Sequence, residues 1–148
     1  SLTARALRAL AAREYSRHEL RAKLLRWAAG EPDAQEQVES VLEKLAAKGH
    51  LSEERFIESR IHVRAARFGN RRITHELRQH GLTPDAATQA QLRATELARA
   101  REVWRKKFGQ PGATAADRAK QARFLTARGF SGEVVRQLVL HGADIELD

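Results

Sequence analysis

Residues 73–83 read ITHELRQHGLT and residues 121–131 read QARFLTARGFS, and the two stretches align at a shift of 48 positions. Leu77 and Leu125 occupy the same place, and each is followed four residues later by glycine, then by an apolar residue and a hydroxyl residue. A glycine after an apolar helical pattern, followed by Thr or Ser, is typical of one helix ending and the next beginning. The pair therefore predicts a repeated helical unit.

Helix-forming residues fill the chain between a few breaks. Three prolines and nine glycines interrupt long runs of Ala, Leu, Arg, Glu and Gln, and no strand-like alternation is visible. Ser16 with Glu19 forms a capping box, and Thr83 before Pro84 predicts another helix start. Nine helices are predicted, at residues 2–13, 17–29, 33–48, 53–68, 70–80, 84–92, 95–108, 115–128 and 132–141.

Two details of this assignment depend on glycine. Residues 86–108 contain neither glycine nor proline, so one long helix is the alternative to a break near residue 93. Six glycines each follow a helical pattern, where a left-handed residue commonly ends the helix. They are Gly30, Gly49, Gly69, Gly81, Gly109 and Gly129.

The nine helices group into three triplets. Leu20 and Leu24 take the repeated roles in the first triplet, and apolar stripes mark the third helix of the first and last triplets. Three short helices bury little surface alone, so stacked triplets are a sensible way to build a core. We expect an all-α chain of three tandem three-helix repeats, elongated and curved. The repeats are expected at residues 1–50, 51–93 and 94–148, the last with an acidic C-terminal tail.

Composition narrows the classes of function. The chain has 148 residues, 27 Lys and Arg against 19 Asp and Glu, and a formal net charge of +8. Such an excess favours a polyanionic partner, such as nucleic acid. Cysteine is absent, which fits a reducing cytosol. No apolar run is long enough to span a membrane, so we expect a soluble, cytoplasmic protein with no membrane partner.

The positive charge recurs in bands. Residues 60–80 carry six arginines against Glu76 alone, and three of those arginines share one side of a predicted helix. A solvated face with salt bridges is the simpler interpretation, but one acid cannot neutralise six arginines. We therefore predict a binding surface in this band, and a second, weaker candidate in the first basic band, residues 1–30. The predicted surface comprises Arg60, Arg64, Arg67, Arg71, Arg72 and Arg78, with Arg17, Arg21, Lys23 and Arg26.

Common catalytic and metal-binding motifs are missing from the sequence. The chain lacks a phosphate-binding glycine loop, a dinucleotide fingerprint and an HExxH motif, and its six histidines are scattered. His75 and His80 are five residues apart, a poor spacing for two ligands of one metal. The aromatic residues fall at helix ends or on apolar faces, which favours packing over base stacking. We expect no enzyme, no cofactor and no metal site.

A set of helix-cap, apolar and charged residues carries a family resemblance: Ser16, Glu19, Leu20, Lys23, Leu24, Gly49, Leu51, Ser52, Arg55, Phe56, Arg72, Ile73, Glu76, Leu77 and Gly81, with Arg128, Gly129, Phe130 and Ser131 in the last repeat. These residues together resemble the signature of the RecX family, regulators of the RecA recombinase. The resemblance is strongest between Tyr15 and Leu82. His50 and Ser52 depart from it, since the family usually has an aromatic residue and an aspartate there, and Gly30 comes late.

The resemblance implies a modulator, usually an inhibitor, that lies in the groove of the RecA filament on single-stranded DNA. It would limit filament growth, ATP hydrolysis, strand exchange and cleavage of the SOS repressor. Single- and double-stranded DNA would bind more weakly and in a salt-dependent way. The alternative is a stand-alone DNA-binding protein of helix-turn-helix type. Specific readout needs Asn, Gln or Arg at the start of a recognition helix, and nothing in the sequence singles out one helix for that role.

Overall fold

The structure, a computed structural model, describes residues 1–141 and confirms the all-α class in that range. The predicted acidic tail lies outside the described residues. Eight helices form, and no strand occurs among residues 1–141. They are α1 (Leu2–Ala12), α2 (Arg17–Trp27), α3 (Ala34–Ala47), α4 (Glu53–Arg64), α5 (Asn70–Gln79), α6 (Ala86–Lys107), α7 (Ala115–Ala127) and α8 (Gly132–His141).

The prediction of nine helices was wrong at one place, because the sixth and seventh predicted helices are the single helix α6. No residue in α6 interrupts the hydrogen-bond ladder, and Thr95, near the predicted break, donates its hydroxyl to the Gln91 carbonyl at 3.1 Å. The predicted start at Thr83 was also wrong. Asp85 caps α6, since its carboxylate accepts the Thr88 backbone N–H at 2.8 Å.

Two further boundaries differ from prediction near residue 69. Helix α4 ends at Arg64, four residues early, and the chain continues through turns. Gly69 does not have a positive φ, so the left-handed cap predicted there was wrong. The other five glycines do have it, as predicted: Gly30, Gly49, Gly81, Gly109 and Gly129.

The chain divides into two compact units. The first contains Ser1–Arg60 and Gln79–Leu82. Its core lies among α1, α2 and α3, where Leu20, Leu24 and Leu42 are fully buried. Ser16, also fully buried, caps α2 by accepting the Glu19 N–H at 3.0 Å, and its hydroxyl lies 2.7 Å from His80 Nδ1.

The second unit contains Ile61–Arg78 and residues 83–141. Its core lies among α6, α7 and α8, with Trp104, Leu125 and Phe130 at its centre. The Trp104 indole N–H donates to the buried Gln121 amide oxygen at 3.0 Å. The predicted division into three repeats stays a prediction. No helix in the range 1–141 has the length and apolar character needed to cross a membrane.

Candidate polyanion-binding surface

Two turns of the second unit cross at backbone contact. The Gly69 N–H donates to the Arg128 carbonyl at 2.8 Å, and the Arg71 N–H donates to the Gly129 carbonyl at 3.0 Å. A Cβ on Gly69 would collide with the backbone of Gly129 and Phe130. Gly69 is therefore required for this close approach. The crossing brings the start of α5 against the end of α7.

Four guanidinium groups surround the buried ring of Phe68 beside this crossing. The Cζ atoms of Arg72, Arg128, Arg67 and Arg64 lie 4.0, 5.4, 5.5 and 6.0 Å from the ring centroid. The attraction between each cation and the ring contributes about 0.5–1 kcal/mol at partly exposed sites. We call these five residues the arginine cluster.

One member of the arginine cluster is paired with an acid. Arg64 Nε lies 3.2 Å from a Glu76 carboxylate oxygen. Arg67, Arg72 and Arg128 form no ion pair with a carboxylate within the described range. Arg128 instead donates to the Arg67 carbonyl at 3.2 Å. Three cations of the arginine cluster thus remain available to an external anion.

A groove of about 770 Å³ continues the arginine cluster between α5 and the end of α7. One face of α5 supplies four of its residues, Arg71, Thr74, His75 and Arg78. Arg71 and Arg78 are exposed and form no ion pair among residues 1–141. Guanidinium groups beside hydroxyl and amide donors suit phosphate oxygens. The lining comprises Asn70, Arg71, Arg72, Thr74, His75, Arg78, Thr126, Ala127 and Gly129.

The first predicted band is largely paired within its own unit. Arg17 Nη2 lies 2.7 Å from Glu43, and Arg21 Nε lies 2.5 Å from Glu39, so α3 supplies the acids. The hydrogen bond from Arg21 lowers the pKa of Glu39. Lys23 donates to the Tyr15 hydroxyl at 3.2 Å. Exposed pairs of this kind contribute about 0–1 kcal/mol, so a polyanion would compete with α3 for these side chains.

The other two predicted residues lie apart from these pairs. Arg26 is exposed near the end of α2. Arg60 belongs to the first unit, and its guanidinium lies 5.0 Å from the Phe56 ring centroid. The structure thus gathers Arg64, Arg67, Arg71, Arg72 and Arg78 in the second unit.

Sequence reasoning missed a buried anchor beneath this surface. Arg99 of α6 donates to the carbonyls of Ala65 and Phe68, both at 3.0 Å, and to the Asn70 side-chain oxygen. Glu96, 4% exposed, accepts the Asn70 backbone N–H at 2.9 Å. Burial lowers the pKa of Arg99, while Glu96 opposes that shift. These two side chains hold the turn that presents Arg67 and Phe68.

Arg128 was not predicted as part of the surface either. The sequence shows Arg128 next to Gly129 within the repeat. The location of its side chain in the folded protein, however, depends on contacts with residues about 60 positions earlier. For Glu96 and Arg99, by contrast, the sequence contains a pattern that indicates burial. They are charged residues three apart between Leu92 and Ala100, on the side of α6 that is buried.

No cluster of three or more His, Cys, Asp or Glu side chains that could hold a metal occurs in residues 1–141. The lining of the groove offers guanidinium, hydroxyl and amide groups. These groups are suited to holding an anion.

Comparison with known proteins gives a consistent result. Residues 52–90 match the family model described as "RecX, second three-helix domain", and residues 94–139 match "RecX, third three-helix domain". The segment between the two matches lies within α6. The chain is also similar over its length to curated proteins called regulatory protein RecX.

Three of these relatives illustrate the similarity. One from Leptothrix cholodnii is 53% identical over 150 aligned positions, covering 100% of this chain and 92% of the relative. One from Ralstonia nicotianae is 48% identical, covering 100% and 91%. One from Herminiimonas arsenicoxydans is 51% identical, covering 92% of this chain and 89% of the relative.

Proposed function

The chain belongs to the RecX family of regulatory proteins, and we propose that it inhibits the RecA recombinase by binding along the RecA filament on single-stranded DNA. Bound there, it limits filament growth and, with it, ATP hydrolysis, strand exchange and cleavage of the SOS repressor. The observation that carries the proposal is the concentration of unpaired guanidinium groups at the arginine cluster and its groove.

The guanidinium groups of that surface are complementary in charge to a nucleoprotein partner. A filament on DNA exposes phosphates in regular array, and each phosphate neutralised by Arg releases condensed counterions. Arg71 and Arg78 are seven residues apart on α5, so they project on the same side of the helix, two turns apart. Bidentate guanidinium contacts fix orientation as well as supplying energy. Bare single- and double-stranded DNA then bind more weakly, because only the phosphate part of the contact is made.

The test is a titration of RecA's DNA-dependent ATPase, with RecA in excess over the protein. Wild type suppresses the rate. The double variant Arg71→Glu/Arg78→Glu requires at least about tenfold more protein for half-suppression, since two charge-assisted contacts of about 1.5–3 kcal/mol each become repulsive. Both side chains are exposed, so helix content measured by circular dichroism stays unchanged.

The matched control is Arg93→Glu/Arg136→Glu. It makes the same change of charge on exposed residues of the same unit that do not line the groove. The control retains inhibition close to wild type. If both double variants lose inhibition equally, the net charge of the protein determines inhibition and this surface does not. No suppression by wild type, together with tight RecA-independent binding to one duplex sequence, would favour the helix-turn-helix alternative.

A further inference from the structure

The two tryptophans of the chain lie in different environments. Trp104 is 1% exposed and hydrogen-bonded in the second core. Trp27, the last residue of α2, is half-buried and lines a surface hollow of about 350 Å³. Its neighbours in the hollow are Arg5, Arg8, Ala9 and Lys23. Trp27 therefore has an indole available to a ligand, which the prediction of packing for every aromatic residue did not anticipate.

Three cations line the hollow beside this indole. Arg5 Cζ and Lys23 Nζ each lie 5.5 Å from the Trp27 ring centroid, and Arg8 is exposed one helical turn beyond Arg5. In the described part of the chain, none of the three forms an ion pair with a carboxylate. Cation–π contact accounts for Arg5 and Lys23, but it does not account for Arg8.

We propose that this hollow binds one unstacked nucleobase of a single-stranded nucleic acid against Trp27, with the flanking phosphates held by Arg5, Arg8 and Lys23. An aromatic face inside a basic groove is the arrangement that captures single strands without sequence preference, because every base has a π-face. Two helices supply these side chains. Helix α1 contributes Arg5, Arg8 and Ala9, and helix α2 contributes Lys23 and the Trp27 indole.

A charged neighbour sets the orientation of the strand. Glu31 and Gln37 line a separate, smaller hollow on which Arg5 and Trp27 also border. The carboxylate of Glu31 repels phosphate, so the backbone follows Arg8 and Lys23, which do not border that hollow. A lipid surface fits less well, because an interfacial helix needs a broad apolar face, whereas this hollow offers one indole and Ala9.

The site belongs to the first unit and requires neither RecA nor the arginine cluster. It is therefore tested with the whole chain carrying Arg71→Glu/Arg78→Glu, which removes the other basic groove. The ligands are a twelve-residue oligothymidylate and an abasic strand with the same number of phosphates. The readouts are intrinsic tryptophan fluorescence and binding affinity measured by anisotropy of end-labelled strands.

The expected result is a difference between the two strands. Oligothymidylate quenches the Trp27 emission and binds at least about fivefold more tightly than the abasic strand, as stacking of one base requires. The buried Trp104 supplies a constant background. Trp27→Leu abolishes that preference, whereas Trp27→Phe loses the quenching and keeps most of the preference, since phenylalanine also stacks. Arg8→Ala weakens the binding of both strands equally.

Three outcomes would overturn the proposal. The first is equal affinity of the two strands for the protein with Trp27 intact, a comparison that does not depend on whether any Trp27 variant folds. The second is an unchanged preference in Trp27→Leu with normal helix content. The third is a blue shift of Trp27 emission on phosphatidylglycerol vesicles without quenching by oligothymidylate, which would assign the hollow to a membrane surface. Each can occur while the wild-type protein inhibits RecA, so failure here is distinct from failure of the proposed function.

Discussion

Replacing Gly69 with alanine tests the backbone crossing that builds the arginine cluster. The new Cβ would meet the backbone of Gly129 and Phe130, which cannot move aside as a flexible side chain could. Overpacking of this kind costs about 1–3 kcal/mol. The displacement also breaks the hydrogen bonds from Gly69 N–H and Arg71 N–H, at about 1 kcal/mol each. We expect Gly69→Ala to lower the free energy of unfolding of the second unit by about 3–5 kcal/mol.

The assay is urea unfolding followed by Trp104 emission in a Trp27→Phe background, because Trp104 lies in the core of the same unit as Gly69. With a slope near 2 kcal/mol per molar urea, the midpoint falls by about 2 M. The matched control is Gly132→Ala, at the first residue of α8. Its Cβ would approach only the end of the Arg136 side chain, at 3.2 Å.

The control is expected to be neutral or stabilising by up to about 1 kcal/mol, since alanine loses less entropy in a helix. A midpoint for Gly69→Ala within about 0.5 M of the control, a difference of about 1 kcal/mol at that slope, would contradict this prediction. That result would mean that the crossing relaxes without loss, and that the position of Arg71 and Arg72 does not depend on it.

Two further substitutions probe side chains outside the predicted surface. Arg99→Ala leaves the Ala65 and Phe68 carbonyls without their donor, so we expect it to lower the free energy of unfolding by about 2–4 kcal/mol in the same urea assay. Arg99→Lys recovers only part of that loss. A loss below about 1 kcal/mol in Arg99→Ala would contradict the anchoring role. Burial raises the pKa of Glu19, but the hydrogen bond and charge of Arg13 outweigh it and leave that pKa below its ordinary value. A lowered folded-state pKa contributes stability above the unfolded pKa of about 4.3, which is lost as pH falls through the folded value. Glu19→Gln is therefore less stable than wild type at pH 7, and the urea midpoints of the two converge in acid; a difference that is constant with pH would refute this assignment.

Several helix starts were predictable because their signals are local. Ser16 caps α2 and Thr114 caps α7 through bonds to backbone three residues away, so the start of each helix could be derived from a few neighbouring letters. The continuity of α6 was equally visible, because no glycine or proline interrupts it, and the predicted break owed more to the expected repeat than to the residues. The absence of a helix-breaking residue indicated one helix and the expected repeat indicated two, and the structure has one.

The candidate surface was predictable in its density of charge but not in its pairing. Six arginines within residues 60–80 are visible in the sequence, whereas the acids that neutralise Arg17 and Arg21 come from α3, up to 26 residues later. The prediction that Arg60, Arg64 and Arg67 share one side of a helix assumed that the helix continues to residue 68, but α4 ends at Arg64. Long-range contacts therefore determine which cations are available.

The same contacts explain how the unpaired arginines are tolerated in the folded protein. Like charges gathered within 6.0 Å of one ring centroid repel each other and destabilise the unit that holds them. The Phe68 ring offsets part of that repulsion, and the Arg67 carbonyl accepts from Arg128, but neither contact neutralises a charge. A bound polyanion would neutralise it, and binding only to the folded state adds to stability in proportion to the logarithm of ligand concentration. The repulsion within the arginine cluster would therefore fall when the proposed anionic partner binds.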